Sequence, residues 1–166
     1  MRVVVAGTFG PIHDGHRALL ETALERGDEG VVVGLASDAF ARGKRDRPVP
    51  SFEERERALR AELDALDRWG RTVEIAEIRD EHGFATTDPS LDAVVVSPET
   101  APEIADINDE RRANGLDPLE GIVVPFVRAA DGERISSTRV VRGEVDEHGT
   151  LRDAGRTGTP NDDSSE

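Results

Sequence analysis

The chain opens on a continuous β-branched run, Val3–Ala6, that stops at Gly7. Such a run reads as a strand buried on both faces. Apolar positions then recur at helical spacing from about Gly15 through Ala18, Leu19, Ala23 and Leu24, and Gly27 closes that helix. Val31–Leu35 reads as a second strand, and the polar, basic stretch 37–50, with Pro48 and Pro50, as a long loop. Ser51 and Glu54 have capping-box spacing, and Leu59, Leu63 and Leu66 carry the helix behind them towards Trp69-Gly70. Val73–Ile78 alternates as a third strand, residues 79–92 form a polar loop, and Ala93–Val96 is a fourth strand. Glu99 to about Asn114 is helical, with Pro102 confined to its first turn. Ile122–Val127 is a fifth strand whose Pro125 marks an end or an edge. A short helix spans Ser136 to Arg142, after which the apolar pattern fades.

Strands alternating with helices predict an α/β, Rossmann-like, doubly wound parallel sheet of five strands with helices on both faces. The expected domain is 1–147, followed by an acidic tail, 148–166, expected to be disordered. The loops 7–14, 37–50, 79–92 and 128–136 mostly leave strand carboxyl ends and should converge on one site.

Charge narrows the partners. The 166 residues carry a formal net charge of −14, spread along the chain, which disfavours nucleic acid and anionic membranes. A phosphate-bearing ligand therefore needs locally concentrated positive charge. The dispersed acid, with a single lysine (Lys44) among many arginines, suggests a protein adapted to a salt-rich cytoplasm. The absence of cysteine removes disulfides, thiolate nucleophiles and zinc–thiolate sites. The first apolar run is too short for a signal peptide or membrane span, so a cytoplasmic location is expected.

The candidate chemistry lies in two motifs. Gly7-Thr8-Phe9-Gly10-Pro11-Ile12-His13-Asp14-Gly15-His16 joins the first strand to the first helix. Its glycines allow close backbone approach, the helix start favours an anion, and His13 and His16 share one face of the first turn. The loop is not a Walker A sequence, and a two-histidine metal site lacks the His-Glu-x-x-His signature. Arg134-Ile135-Ser136-Ser137-Thr138-Arg139 places three hydroxyls at a helix start, where they can contact phosphate; taken alone, a plain N-cap accounts for Ser136.

Together these motifs resemble the nucleotidylyltransferase superfamily, and more specifically the archaeal type of phosphopantetheine adenylyltransferase. The likeness extends through Gly34–Ala41 with Lys44 following, Val94–Thr100, Ile107–Arg111, Asn114–Leu116, Asp131-Gly132 and Arg142–Asp146. Two departures stand out. Many relatives have aspartate where Gly10 stands, and Ser97-Pro98-Glu99-Thr100 lacks the arginines that bacterial enzymes of this activity place after the fourth strand.

The resemblance implies AMP transfer from ATP, with Mg²⁺, to 4′-phosphopantetheine, and no covalent enzyme intermediate. It implies that His16 donates to the α-phosphate, His13 holds the ATP phosphates and Lys44 faces the reacting phosphates. Arg42, Arg45 and Arg47 need not do so; the alternative for Lys44 is a chance surface lysine. Thr8 helps place the acceptor phosphate beside the α-phosphate, Phe9 and Gly15 join it as binding residues, and Ser136, Ser137 and Thr138 grip the nucleotide phosphates. Arg111 is the candidate phosphate arginine, against an arginine on a solvated helix face. Asp38 and residues 80–88 either shape the pantetheine end or hold turns. No all-protein metal site is expected. Rival readings are a nicotinamide mononucleotide adenylyltransferase, an alcohol-phosphate cytidylyltransferase and a nucleotide-binding regulator without catalysis.

Overall fold

The structure is a computed structural model that describes residues 1–152 except Lys44 and Asp46. Five strands, β1 (Val3–Gly7), β2 (Val31–Ala36), β3 (Val73–Ile78), β4 (Ala93–Val96) and β5 (Glu120–Val123), form one sheet in the order β3-β2-β1-β4-β5. Every pairing is parallel. The chain winds outward from β1 to β3 and then crosses to β4 and β5. The strand order therefore reverses between β1 and β4, where a crevice opens beyond the carboxyl ends.

The continuous apolar runs are explained by burial on two sides. Val3, Val5, Val31 and Val33 face a core completed by Leu20 and Leu24 of α1 (Asp14–Arg26) and Leu59 and Leu63 of α3 (Phe52–Leu66). Val4, Val32 and Val94 face the opposite core, with Ile107 of α4 (Glu103–Ala113) and Leu91 and Leu119. Helices thus cover both faces, as the sequence pattern predicts.

Several boundaries differ. Residues Asp38–Gly43, expected within a loop, form the helix α2. Its start is held by Ser37, whose hydroxyl accepts from the Phe40 N–H, and one turn with a single fully buried side chain, Ala41, leaves no periodicity to read. α4 begins at Glu103, after turns between Ser97 and Pro102, and not at Glu99. β5 starts at Glu120 and ends before Pro125, which has no N–H for the ladder. The last helix is α5 (Ser137–Val141).

Ordered structure also continues beyond the expected domain end at 147. Val145 is 0% exposed and packs with Ala129 and Ile135. The Glu147 carbonyl accepts from Asp14 N–H, the Gly149 carbonyl accepts from Ala130 N–H, and Val145 bridges to Leu151. Residues 148–152 are therefore paired structure and not tail; backbone bonds hold them, and these leave no apolar signature. The rest of the expected tail, 153–166, lies outside the described residues.

Candidate active site

Where β1 ends, the loop turns into α1 through a capping box made of two histidines. His13 is the N-cap, and its Nδ1 accepts from the Gly15 N–H at 3.0 Å. The His13 N–H in turn donates to His16 Nδ1 at 3.2 Å. The usual box pairs a hydroxyl with a carboxylate; here imidazole nitrogens accept both bonds. The bonds also set the tautomers. A neutral imidazole that accepts at Nδ1 carries its proton at Nε2, so both histidines offer an Nε2–H donor.

The two rings stack with centroids 3.9 Å apart, and the Phe9 ring lies 5.0 Å from that of His16. Burial lowers the His13 pKa to about 4, with Arg17 adding to the effect. Burial also holds His16 well below its ordinary range, helped by His13, Arg45, Arg17 and Arg47. Both are neutral donors near neutral pH. Gly15 permits the arrangement, because a Cβ there would meet His13 Cε1 at 2.7 Å and Nδ1 at 2.9 Å.

A cavity of about 220 Å³ opens before these groups, at the switch point. Its walls include His13, Gly15, His16, Ser136, Ser137 and Thr138, so the structure unites the two motifs, which lie more than a hundred positions apart in the chain. Each hydroxyl also has a local bond. Ser136 Oγ accepts from Arg139 N–H, Ser137 Oγ donates to the Pro11 carbonyl at 2.6 Å, and Thr138 Oγ1 accepts from Arg47 Nε. A second cavity, of about 230 Å³, runs over Gly7 and Thr8 towards Ile78, His82 and Phe84. His16, Leu19, Arg45 and Ser97 line both.

Phe9 faces neither of these two cavities. It sits at φ 51°, an uncommon conformation for a bulky residue, and buttresses His16. Arg111 must be corrected more fully. It is 1% exposed, neither in the site nor on a solvated face. Its Nε donates to the Asp117 carbonyl, and its Nη1 to the Ala85 and Asp88 carbonyls, at 2.7–2.9 Å. It therefore ties α4 to the loop before β4. Asp80 and Asp88 cap turns through Gly83 N–H and Ser90 N–H. Lys44 lies outside the described residues.

The sequence reading missed three arginines of the first cavity: Arg45, Arg47 and Arg134. The signal was present as the basic run after β2 and as Arg134 before the hydroxyl motif. Glu99, on the same wall, pairs with Arg134 at 3.0 Å, and Arg134 lies over the Phe126 ring. Positive charge is thus concentrated here despite the negative chain.

A fourth arginine, Arg55, braces the loops from behind. It is 1% exposed and donates to the carbonyls of Pro50, Thr8 and Ala36 and to Asp38 Oδ1. Gly10 fits against it, since a Cβ would meet Arg55 Cδ at 2.7 Å. That explains how the first loop is held without an acidic side chain at this position. Away from the two motifs, Glu81, His82 and Glu103 bring possible metal-ligand atoms within 4.8 Å of one another, a grouping the sequence did not suggest. His82 already pairs there with Glu103 and Glu110.

This fold, with neutral donors and arginines at its switch point, suits the handling of nucleotide phosphates. The chain belongs to the cytidylyltransferase-like family, whose model matches residues 4–143. Within that class its likeness is to phosphopantetheine adenylyltransferases of archaea. The protein of that name from Methanopyrus kandleri is 48% identical over 92% of this chain and 94% of its own length. The one from Methanosarcina acetivorans is 39% identical over 91% of this chain and 96% of its own. Among solved structures, a protein with unknown function from Archaeoglobus fulgidus is 30% identical, with a TM-score of 0.67 over 75% of this chain and 89% of that one.

Proposed function

We propose that the protein transfers AMP from Mg²⁺-ATP to 4′-phosphopantetheine, giving dephospho-CoA and pyrophosphate. The observation that carries this reading is the meeting of two cavities at His16, whose neutral Nε2–H donor is set by the helix cap. ATP fits the first, basic cavity, and the acceptor the second, where Ile78, Phe84 and Ile107 offer apolar wall to a pantetheine arm. Names shared by relatives across nearly the whole chain support 4′-phosphopantetheine as the acceptor.

An oxygen of the acceptor phosphate forms a bond to the α-phosphorus, and the bond from that phosphorus to the β-bridging oxygen breaks. Pyrophosphate takes the electron pair. The nucleophile is already an anion, so no base is needed, and the residues act by alignment and charge stabilisation. His16 donates to the α-phosphate, and His13 and the hydroxyls of 136–138 hold the nucleotide phosphates. Lys44, next in the chain after α2, supplies an ammonium to them. Magnesium arrives with ATP. Glu99 is the cavity's one carboxylate among the described residues and is paired with Arg134, so a magnesium ion there would be held through phosphate oxygens and water.

Pyrophosphate release tests the reading. It should appear with Mg²⁺-ATP and 4′-phosphopantetheine, and not with nicotinamide mononucleotide, glycerol phosphate or CTP. Release with another pair would reassign the substrate; ATP binding without release would make the protein a regulator.

A further inference from the structure

The arginines around the site differ in what holds their guanidinium groups. Arg47 donates to the Gly10 carbonyl and Thr138, Arg134 pairs with Glu99, and Arg55 is bonded on every side to the loops. Arg45 has no such anchor among the described residues. Its Nη1 is sealed from solvent and, among the described residues, is the one buried side-chain nitrogen or oxygen without a hydrogen-bond partner. A guanidinium stays charged in proteins, so a nitrogen held out of water without an acceptor is a standing electrostatic cost. Among the described residues its charged surroundings are mostly of the wrong sign: Arg55 and Arg47 repel it, and Glu99 attracts it without forming an ion pair.

Nη1 is closed to the cavities as well, so an anion would meet the remaining guanidinium nitrogens, and position says which anion that would be. Arg47 and Arg134 line the first cavity alone, whereas Arg45 lines both, with His16 and Ser97. A direct transfer brings nucleophile and electrophile within about 3.5 Å of each other, which can occur only where the cavities join. A guanidinium is also matched to two oxygens of one phosphate.

We propose that Arg45 is a catalytic residue: its guanidinium holds the acceptor's phosphate at the junction of the two cavities, beside His16. The proposal rests on the phosphoryl-acceptor reading above but not on which phosphate ester is the acceptor. Arg45 neither gains nor loses a proton. It keeps the attacking oxygen in line while the bond to the α-phosphorus forms and pyrophosphate departs.

Inorganic phosphate, titrated calorimetrically into protein saturated with α,β-methylene-ATP, probes this seat for any phosphate-ester acceptor. Arg45→Ala should weaken phosphate binding about tenfold or more, while affinity for the ATP analogue changes by less than about threefold. The variant's melting temperature should be unchanged or raised, because a guanidinium with a sealed, partnerless Nη1 is removed. Arg45→Gln, which keeps most of the aliphatic stem while removing the charge and the guanidinium fork, carries the same test should Arg45→Ala fail to fold. Phosphate binding equal in variant and parent, or absent from both, overturns the proposal. So does a lower melting temperature in Arg45→Gln with phosphate affinity intact, the mark of a brace. A parent that binds phosphate in an Arg45-dependent way yet does not turn over 4′-phosphopantetheine leaves Arg45 in place and refutes the substrate.

Discussion

His13 and His16 each commit one ring nitrogen to the backbone. Each accepts at Nδ1 within the cap, which leaves an Nε2–H donor for the phosphate oxygens of the proposed reaction. Removing one preorganised donor to a transition-state oxygen costs about 3 kcal/mol, roughly a hundredfold in rate. His16→Ala should therefore keep its fold by circular dichroism and lose turnover by about that factor; near-normal turnover would refute the donor role. Protonation has a definite sign. His13 is held at about 4 in the folded chain, against 6.5 for a free imidazole. Below 6.5 the unfolded chain takes up the proton first, so stability is full above that pH and falls as pH drops towards 4. For His13 the whole fall amounts to roughly 3 kcal/mol. Urea melts across that window should show the loss, and NMR of the His13 and His16 imidazoles should show neutral Nε2–H rings with no midpoint near 6.5.

At the scale of elements, the site depends on how loops are pinned to helix starts. A methyl at position 15 would enter the space of the His13 imidazole. Gly15→Ala should cost about 1 kcal/mol through the lost cap and lower turnover at least tenfold, because a displaced donor is a poor one. Both follow from one variant by urea melts and pyrophosphate release; unchanged activity would show that the cap does not set the donor. Arg55 joins the loops after β1 and β2 through three carbonyls and Asp38. Arg55→Met leaves those acceptors buried and unmatched, and should cost about 3–5 kcal/mol. Together Arg55 and Arg111 show why arginine counts mislead in this chain. Both are fully buried braces, while a third, Arg45, carries the unmatched charge.

Over the whole molecule, a net charge of −14 surrounds a site that gathers arginines. Self-repulsion of the acidic surface weakens as salt shortens the Debye length from about 10 Å at 0.1 M to about 3 Å at 1 M. The proposal of a salt-adapted protein predicts a melting temperature that climbs steadily over that range; a flat profile would remove it. No helix among the described residues is long and apolar enough to cross a membrane. The sequence by itself determined the five strands, the parallel winding and the loop ends that carry His16 and Ser136–Thr138, because burial on two faces writes continuous apolar runs and tight turns into helix starts write glycine and hydroxyl patterns. It left open which arginines serve the site. A guanidinium looks the same in sequence whether it braces carbonyls, as Arg111 does, or lines a cavity, as Arg45 does. It also left open the pairing of residues 145–151, held largely by backbone bonds. Those were decided by tertiary structure alone, because burial and bonding partners come from segments far apart in the chain.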